Sequence, residues 1–232
     1  MKTTRRAFLG MAGAAALAAA RRGATASAAA KPPNIIFILA DDLGYGDVGC
    51  YGQEQVLTPR IDAMAAEGVR FTQCYAGSTV CAPSRCCLMT GMHTGHARIR
   101  GNDRVPLEPG DTTVAEVLRG AGYETALIGK WGLGNPDTTG IPTRQGFDHF
   151  FGFLDQKHAH NHYPDYLWEN ETRVDIPENV QHEKYEGVCA QCETFADDLF
   201  TEKALAFIEK DRDRPFFLYL SHVIPHANNE RG

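Results

Sequence analysis

From Asn34 the chain reads Ile35-Ile36-Phe37-Ile38-Leu39-Ala40, an apolar run with no polar break, and then stops on two carboxylates, Asp41 and Asp42. A continuous apolar run of this length predicts a strand covered on both faces, as in a parallel sheet between layers of helix. Thr58-Pro59 through Glu67-Gly68 predicts a short helix with a Thr cap, Pro in its first turn and Gly at its end, with Ile61, Met64 and Ala65 on one face. Residues 69–75, Val69 to Tyr75, read as a further strand leading toward Cys81. Thr113-Val114-Ala115-Glu116 is a capping box, and Val114, Val117, Leu118 and Ala121 share one side of the helix it opens. Residues 124–128 form the next strand, and residues 165–170 and 172–176 pattern as a hairpin. Residues 193–210 place Ala196, Phe200, Ala204 and Phe207 on one helical face, and Phe216-Phe217-Leu218-Tyr219-Leu220 is a second wholly apolar strand. Strands alternating with helices predict an α/β fold: a mostly parallel central sheet flanked by helices.

Three of these elements end in groups that carry chemistry. Adjacent carboxylates at a strand tip repel each other unless a cation lies between them, and strand tips are where open α/β sheets bind ligands; an exposed acidic turn is the plainer reading. Gly129-Lys130-Trp131-Gly132-Leu133-Gly134 sets a lysine between small residues at a second tip, placed either to reach an oxyanion or to face solvent. Ser221-His222-Val223-Ile224-Pro225-His226 closes a third tip, where His226 can donate to an ester oxygen or protonate a leaving alcohol, and His222 reads as a supporting histidine. Cys81-Ala82-Pro83-Ser84-Arg85 places a cysteine at a helix start, with Pro83 suited to the first turn and the helix dipole favouring an anion nearby. Arg85, one turn along, can add a guanidinium on the same side. A buried or metal-binding cysteine is the alternative. His158, His160 and His162, at spacing two, would share a face if extended and could then hold a transition metal; with the neighbouring aromatics they equally suit a sugar-binding wall or a solvated loop. His93 and His96 line the pocket or belong to an exposed turn.

Cys81-x-Pro83-Ser84-Arg85, continued by Leu88-Met89-Thr90-Gly91, resembles the signature of the type I sulfatases, in which this cysteine is oxidised to formylglycine. Asp41-Asp42 followed by Leu43-Gly44-Tyr45-Gly46-Asp47, the Gly-Lys-Trp-x-Leu-Gly around Lys130, and the Pro-His after residues 215–221 are similar to three further segments of that family. The resemblance implies an alkaline phosphatase-like fold and hydrolysis of a sulfate monoester, with a sulfated carbohydrate as favoured substrate and aryl sulfates as model substrates. It implies Cys81, as formylglycine, for the nucleophile and calcium on Asp41, Asp42 and the modified Cys81. Arg85 and Lys130 would neutralise the diol and sulfate, with Lys130 and His226 binding the sulfate. It also implies a formylglycine-generating maturation enzyme as partner. The sequence departs at Gly132, where most members carry a histidine, so no general base is assigned. The family takes further calcium ligands and a second lysine from beyond the Pro-His motif, so residues 31–232 correspond to the N-terminal portion of a catalytic domain whose C-terminal part is missing. A phosphoesterase or phosphonate hydrolase of the same superfamily, and an inactive glycan binder, are the alternatives.

Residues 1–30 carry five Lys/Arg and no acid, with Arg5-Arg6 before a short Ala/Gly/Leu run and small residues near Ala26 to Ala30. This pattern predicts an export signal of twin-arginine type and a periplasmic or extracellular protein; the run is too short for a membrane span. Beyond residue 30, 18 Lys/Arg stand against 29 Asp/Glu. So acidic a body argues against nucleic acid as a partner, and an anionic substrate needs a local basic pocket working against the overall field. Seven cysteines leave at least one unpaired, for which Cys81 is the candidate, and Cys189-Ala190-Gln191-Cys192 offers a local disulfide or two thiols.

Overall fold

The computed structural model describes residues 31–185 and 187–228. The chain divides into a unit Met1–Pro33 and a unit Asn34–Gly232; the signal expected over residues 1–30 lies outside the described residues.

The strands of the second unit are β1 (Ile35–Asp41), β2 (Glu124–Lys130), β3 (His149–Phe153), β4 (Tyr166–Glu169), β5 (Thr172–Asp175), β6 (Val180–Gln181), β7 (Cys189–Gln191) and β8 (Phe216–Pro225). Six of them form one sheet in the order β1-β8-β2-β3-β4-β5, and β6 and β7 pair separately. The ladders from β1 to β3 are parallel, and the β4–β5 hairpin continues the sheet antiparallel. The helices are α1 (Pro59–Glu67), α2 (Cys81–Thr90), α3 (Val114–Gly120) and α4 (Ala196–Glu209). Thr113 caps α3 in the expected box, and α4 starts three residues later than its apolar pattern predicts.

Period-two alternation sorts the apolar runs between two cores. Leu127, Phe150, Phe217 and Tyr219 pack with Ala82, Cys86 and Met89 of α2 and with Trp131 and Phe147 on one face. Ala126, Ile128, Phe151, Leu218 and Leu220 pack with Phe200, Ala204 and Phe207 of α4 on the other. Two expectations fail at the β1 side. Among the described residues β1 pairs only with β8, and Ile36, Phe37 and Ile38 are exposed rather than covered on both faces. Residues 69–75 form no strand, and Val69, Phe71 and Tyr75 are exposed. Strand-forming side chains make a ladder only where a neighbouring backbone offers its N–H and C=O groups, and no described strand lies beside this segment.

The two ladders of β2 meet tightly at Gly129, which faces Gly152 of β3 and Ser221 of β8. A Cβ at Gly129 would lie 1.9 Å from the Ser221 carbonyl oxygen, and φ is +112°. Gly129→Ala is therefore expected to destabilise by about 3 kcal/mol or more, read as a fall in the urea midpoint at unchanged slope.

Candidate active site

Cys81 is the first residue of α2. Val80 precedes it in extended conformation, and Pro83 lies in the first turn, where its missing N–H costs nothing. The helix ends at Gly91, which adopts the left-handed conformation that glycine tolerates. This start of α2 brings the Cys81 Sγ to 3.9 Å from Asp41 Oδ2 at the tip of β1. The same carboxylate oxygen lies 2.7 Å from Lys130 Nζ, at the tip of β2, and 3.4 Å from Arg85 Nη2. One atom each from Asp41, Cys81 and His226 falls within 4.8 Å of the others. Asp41, Cys81, Arg85, Lys130 and His226 thus lie together in space, while Asp42, expected beside Asp41 on the ion, falls outside this cluster.

The fold surrounds these groups with hydrogen-bond partners. Arg85 is 2 % exposed; its Nη1 donates to the Lys130 carbonyl at 2.8 Å, and also faces the hydroxyls of Tyr219 and Ser221. Tyr219 and Ser221 lie two apart on β8 and so share its face toward α2. The pattern misses Ser221 because the apolar run ends β8 at Leu220, whereas the strand runs to Pro225, and it misses Tyr219 because that residue reads as one more core position. Had that extension been foreseen, period two alone would have found Ser221.

Burial works against the Asp41 carboxylate, but Arg85 and Lys130 outweigh it and hold its pKa below the ordinary value. Burial and the repulsion of Arg85 together lower Lys130, against the attraction of Asp41. Two buried cations thus converge on one buried anion, a surplus of positive charge suited to an anionic substrate. Asp42 differs from its neighbour: it is exposed, with φ +62°, and its Oδ2 lies 3.5 Å from His226 Nε2. The Asp41 carboxylate beside the Cys81 thiol offers calcium a hard oxygen donor, and the exposed Asp42 carboxylate stands off on the far side of His226; the 4.8 Å cluster of Asp41, Cys81 and His226 shows that side chains from three elements can reach one ion.

His226 is buried, and its Nδ1 donates to the Ala227 carbonyl, which turns Nε2 toward Asp42. His222 pairs instead with Asp197 at 2.8 Å, in the supporting place expected of it. The three histidines at spacing two are not on a strand. They occupy a short 3-10 turn, His158–His160, and its exit, and their rings diverge. His160 stacks on His226 with centroids 4.5 Å apart, His162 donates to the His226 carbonyl at 2.8 Å, and His158 stacks on Tyr166. His160 and His162 buttress His226 while His158 packs on Tyr166, so the three do not converge on one transition metal. His93 and His96 contact each other in an exposed turn. Cys189 and Cys192 form a disulfide, and Cys81 is free.

Burial pulls the His158 pKa down from 6.5 to about 4. The unfolded chain therefore binds a proton at pH values where the folded chain does not. Stability should fall as pH drops from about 6.5 to about 4, by up to about 3 kcal/mol from this residue. Urea titrations at pH 7 and 4.5 check this, and His158→Phe should flatten the dependence.

A family model for sulfatases matches residues 33–231. The chain belongs to the sulfatase family. It is 37% identical over 225 residues to arylsulfatase A of Homo sapiens, a match covering 84% of this chain and 42% of that protein. It is 34% identical over 215 residues to N-acetylglucosamine-6-O-sulfatase of Bacteroides thetaiotaomicron, covering 92% of this chain and 34% of that one. Among solved structures it is similar to BT4656 in complex with its substrate D-glucosamine-2-N,6-O-disulfate, with a TM-score of 0.68 and 32% identity, over 84% of this chain and 35% of that one. Ps i-CgsB in complex with k-i-k-neocarrahexaose gives a TM-score of 0.70 and 29% identity, over 85% and 46%. This sulfatase chain thus spans about two fifths of the curated relatives it matches. Its sheet and helices are those of the α/β fold that the resemblance implied. Among the described residues no helix is long and apolar enough to cross a membrane.

Proposed function

We propose that the protein hydrolyses sulfate monoesters at the site around Cys81. One observation carries the reading: a thiol at a helix start lies 3.9 Å from a carboxylate that two buried cations also contact. Calcium would be held by Asp41, Asp42 and the oxidised Cys81, and together the ion and the Cys81-derived formylglycine would supply a hydroxyl nucleophile of lowered pKa. The chain's own residues bind and orient. Lys130 and Arg85 face the developing negative charge with fixed positive groups, the kind of term that contributes most to rate enhancement. His226, held from behind by His160 and His162, presents Nε2 to a sulfate or leaving-group oxygen. In this reading residues 1–30 export the chain by the twin-arginine route, residues 31–232 supply this part of the catalytic domain, and a formylglycine-generating enzyme matures Cys81.

A sulfated carbohydrate is the substrate class we favour. Beside the His158–His160 turn lies a cavity of about 440 Å³ lined by Tyr166, Trp168, His158, Asn161 and Gln181 among others. Aromatic faces with amide groups at their edges suit a sugar ring. The solved relatives named above were determined with a sulfated glucosamine and with a neocarrahexaose.

Two measurements test the function. Mass spectrometry of the peptide spanning residues 71–85, from protein made with a maturation enzyme, should find an aldehyde in place of the Cys81 thiol. Matched aryl sulfate and aryl phosphate esters should then be hydrolysed with the sulfate strongly preferred. An unmodified thiol, or a preference for phosphate, would reject this function.

A further inference from the structure

The cavity of about 440 Å³ and the site lie on two sides of one short turn. His158 lines the cavity, and two residues on, His160 stacks against His226 at 4.5 Å. Trp168 of β4, also on the cavity wall, packs against the core that α2 covers, and so lies on the face of the sheet that Arg85 reaches. In register Trp168 stands opposite Gly152, and Gly152 opposite Gly129, the residue before Lys130. Two strand spacings, about 10 Å, therefore separate the backbones of Trp168 and Gly129. That is wider than a pyranose ring, so a ring whose ester meets Lys130 leaves the cavity to its neighbour.

The rings of the wall form a corner. His158 stacks on Tyr166 with centroids 4.2 Å apart, and the Arg173 guanidinium lies 3.9 Å from the same centroid. Both are too close to share one face, which leaves Tyr166 its rim and hydroxyl. Trp168, half-buried, stands at 83° to Tyr166. An indole and a phenol rim at right angles suit the apolar face and the hydroxyl edge of a sugar ring. The charges around this corner are spent on one another. Asp155 holds Arg104 at 2.9 Å and accepts from the Lys157 and His158 N–H groups, and Asp165 lies 3.8 Å from Arg173. His158 is uncharged at neutral pH, since burial lowers its pKa to about 4. Among the charged groups described on the wall, only Lys157, which is exposed, lacks such a partner. An anion entering here finds no buried cation to replace its water, in contrast to the pair Arg85 and Lys130.

We propose that this cavity is a second subsite, which takes an uncharged sugar ring joined to the sulfated one, so that the substrate is a sulfated oligosaccharide with a neutral residue next to the ester. The proposal narrows the sulfated-carbohydrate reading and rests on it for the ring at Lys130, while the affinity of the cavity for an uncharged ring stands apart from it. Trp168 sets the specificity, as the platform on which the neutral ring lies.

The first test compares N-acetylglucosamine 6-sulfate alone with the same ester joined to galactose and to glucuronate. The galactose-bearing ester should exceed the monosaccharide about 3- to 10-fold in kcat/KM, chiefly through KM, and the glucuronate-bearing one should gain nothing. Trp168→Ala should erase the advantage of galactose. A preference for glucuronate, or hydrolysis with no preference for either, would overturn the inference. The second test needs neither turnover nor a substitution in the protein that binds. The chain holds two tryptophans, and Trp131 is fully buried, so Trp168 is the indole that a sugar can reach. Unsulfated N-acetyllactosamine should change the tryptophan emission of unvaried protein saturably, and should leave that of Trp168→Phe unaltered. No change in unvaried protein, or an equal change in Trp168→Phe, would sink the subsite even where sulfate esters are hydrolysed. If no ester is hydrolysed while N-acetyllactosamine still binds at Trp168, the subsite stands and the failure belongs to the functional reading.

Discussion

Cys81→Ala should abolish aryl sulfate hydrolysis, lowering kcat by about 10⁴-fold or more, as removal of a covalent nucleophile does in other hydrolases. The fold should survive. Cys81 is partly exposed at the first position of α2, where alanine is readily accommodated, and it closes no disulfide. The melting temperature is thus expected to stay within a few degrees of the parent, whereas turnover vanishes. Cys81→Ser is the sharper companion, because a serine keeps the size and offers a hydroxyl without the second oxygen of a hydrated aldehyde. It too should be inactive toward repeated turnover. Full activity in either variant, assayed against the same aryl sulfate, would remove Cys81 from the chemistry.

Asp41→Asn is expected to damage both stability and activity. Its carboxylate stands between Lys130 at 2.7 Å and Arg85 at 3.4 Å, with Lys130 fully buried. Removing the anion leaves two buried cations facing each other, a change that typically costs about 3–5 kcal/mol. The pH dependence gives a second check. Because the folded-state pKa of Asp41 is depressed, its contribution is fully present above the ordinary value of 3.8 and fades as pH falls through the lower folded value. Asp41→Asn should therefore lose stability at pH 6 and show a weaker acid limb than the parent. Asn still offers one oxygen, so a calcium requirement should persist with reduced affinity, measured by titrating the ion against activity. An unchanged urea midpoint at pH 6 would contradict the balance of charges described above.

Much of this was legible in the residues. The runs 35–40 and 216–220 declare strands by their length and lack of polar breaks, and both strands occur where expected, although only β8 is buried on both faces. The three groups at strand tips and the one at a helix start could be nominated from local chemistry alone, and they converge. Pairing was not legible. Nothing in the residues 69–75 distinguishes a strand from a segment with no neighbour to bond, and nothing in β1 says that only one of its edges is occupied. The histidines 158–162 were misleading for a related reason. Spacing two implies a shared face only in extended backbone, and Asp155, whose carboxylate accepts from the Lys157 and His158 N–H groups, turns this segment into a tight coil.

The sheet order β1-β8-β2 has a consequence for how the molecule is made. The last of these strands to be synthesised is wedged between the first two, so that Phe216 and Asn34 are joined across 182 residues. Until that wedge arrives, the tips bearing Asp41 and Lys130 lack the partner that fixes their spacing, and closure of so long a loop makes this a slow step. The nascent chain therefore passes through an interval in which α2 can form while its first residue still lies open, unenclosed by the anion and cations that later surround it.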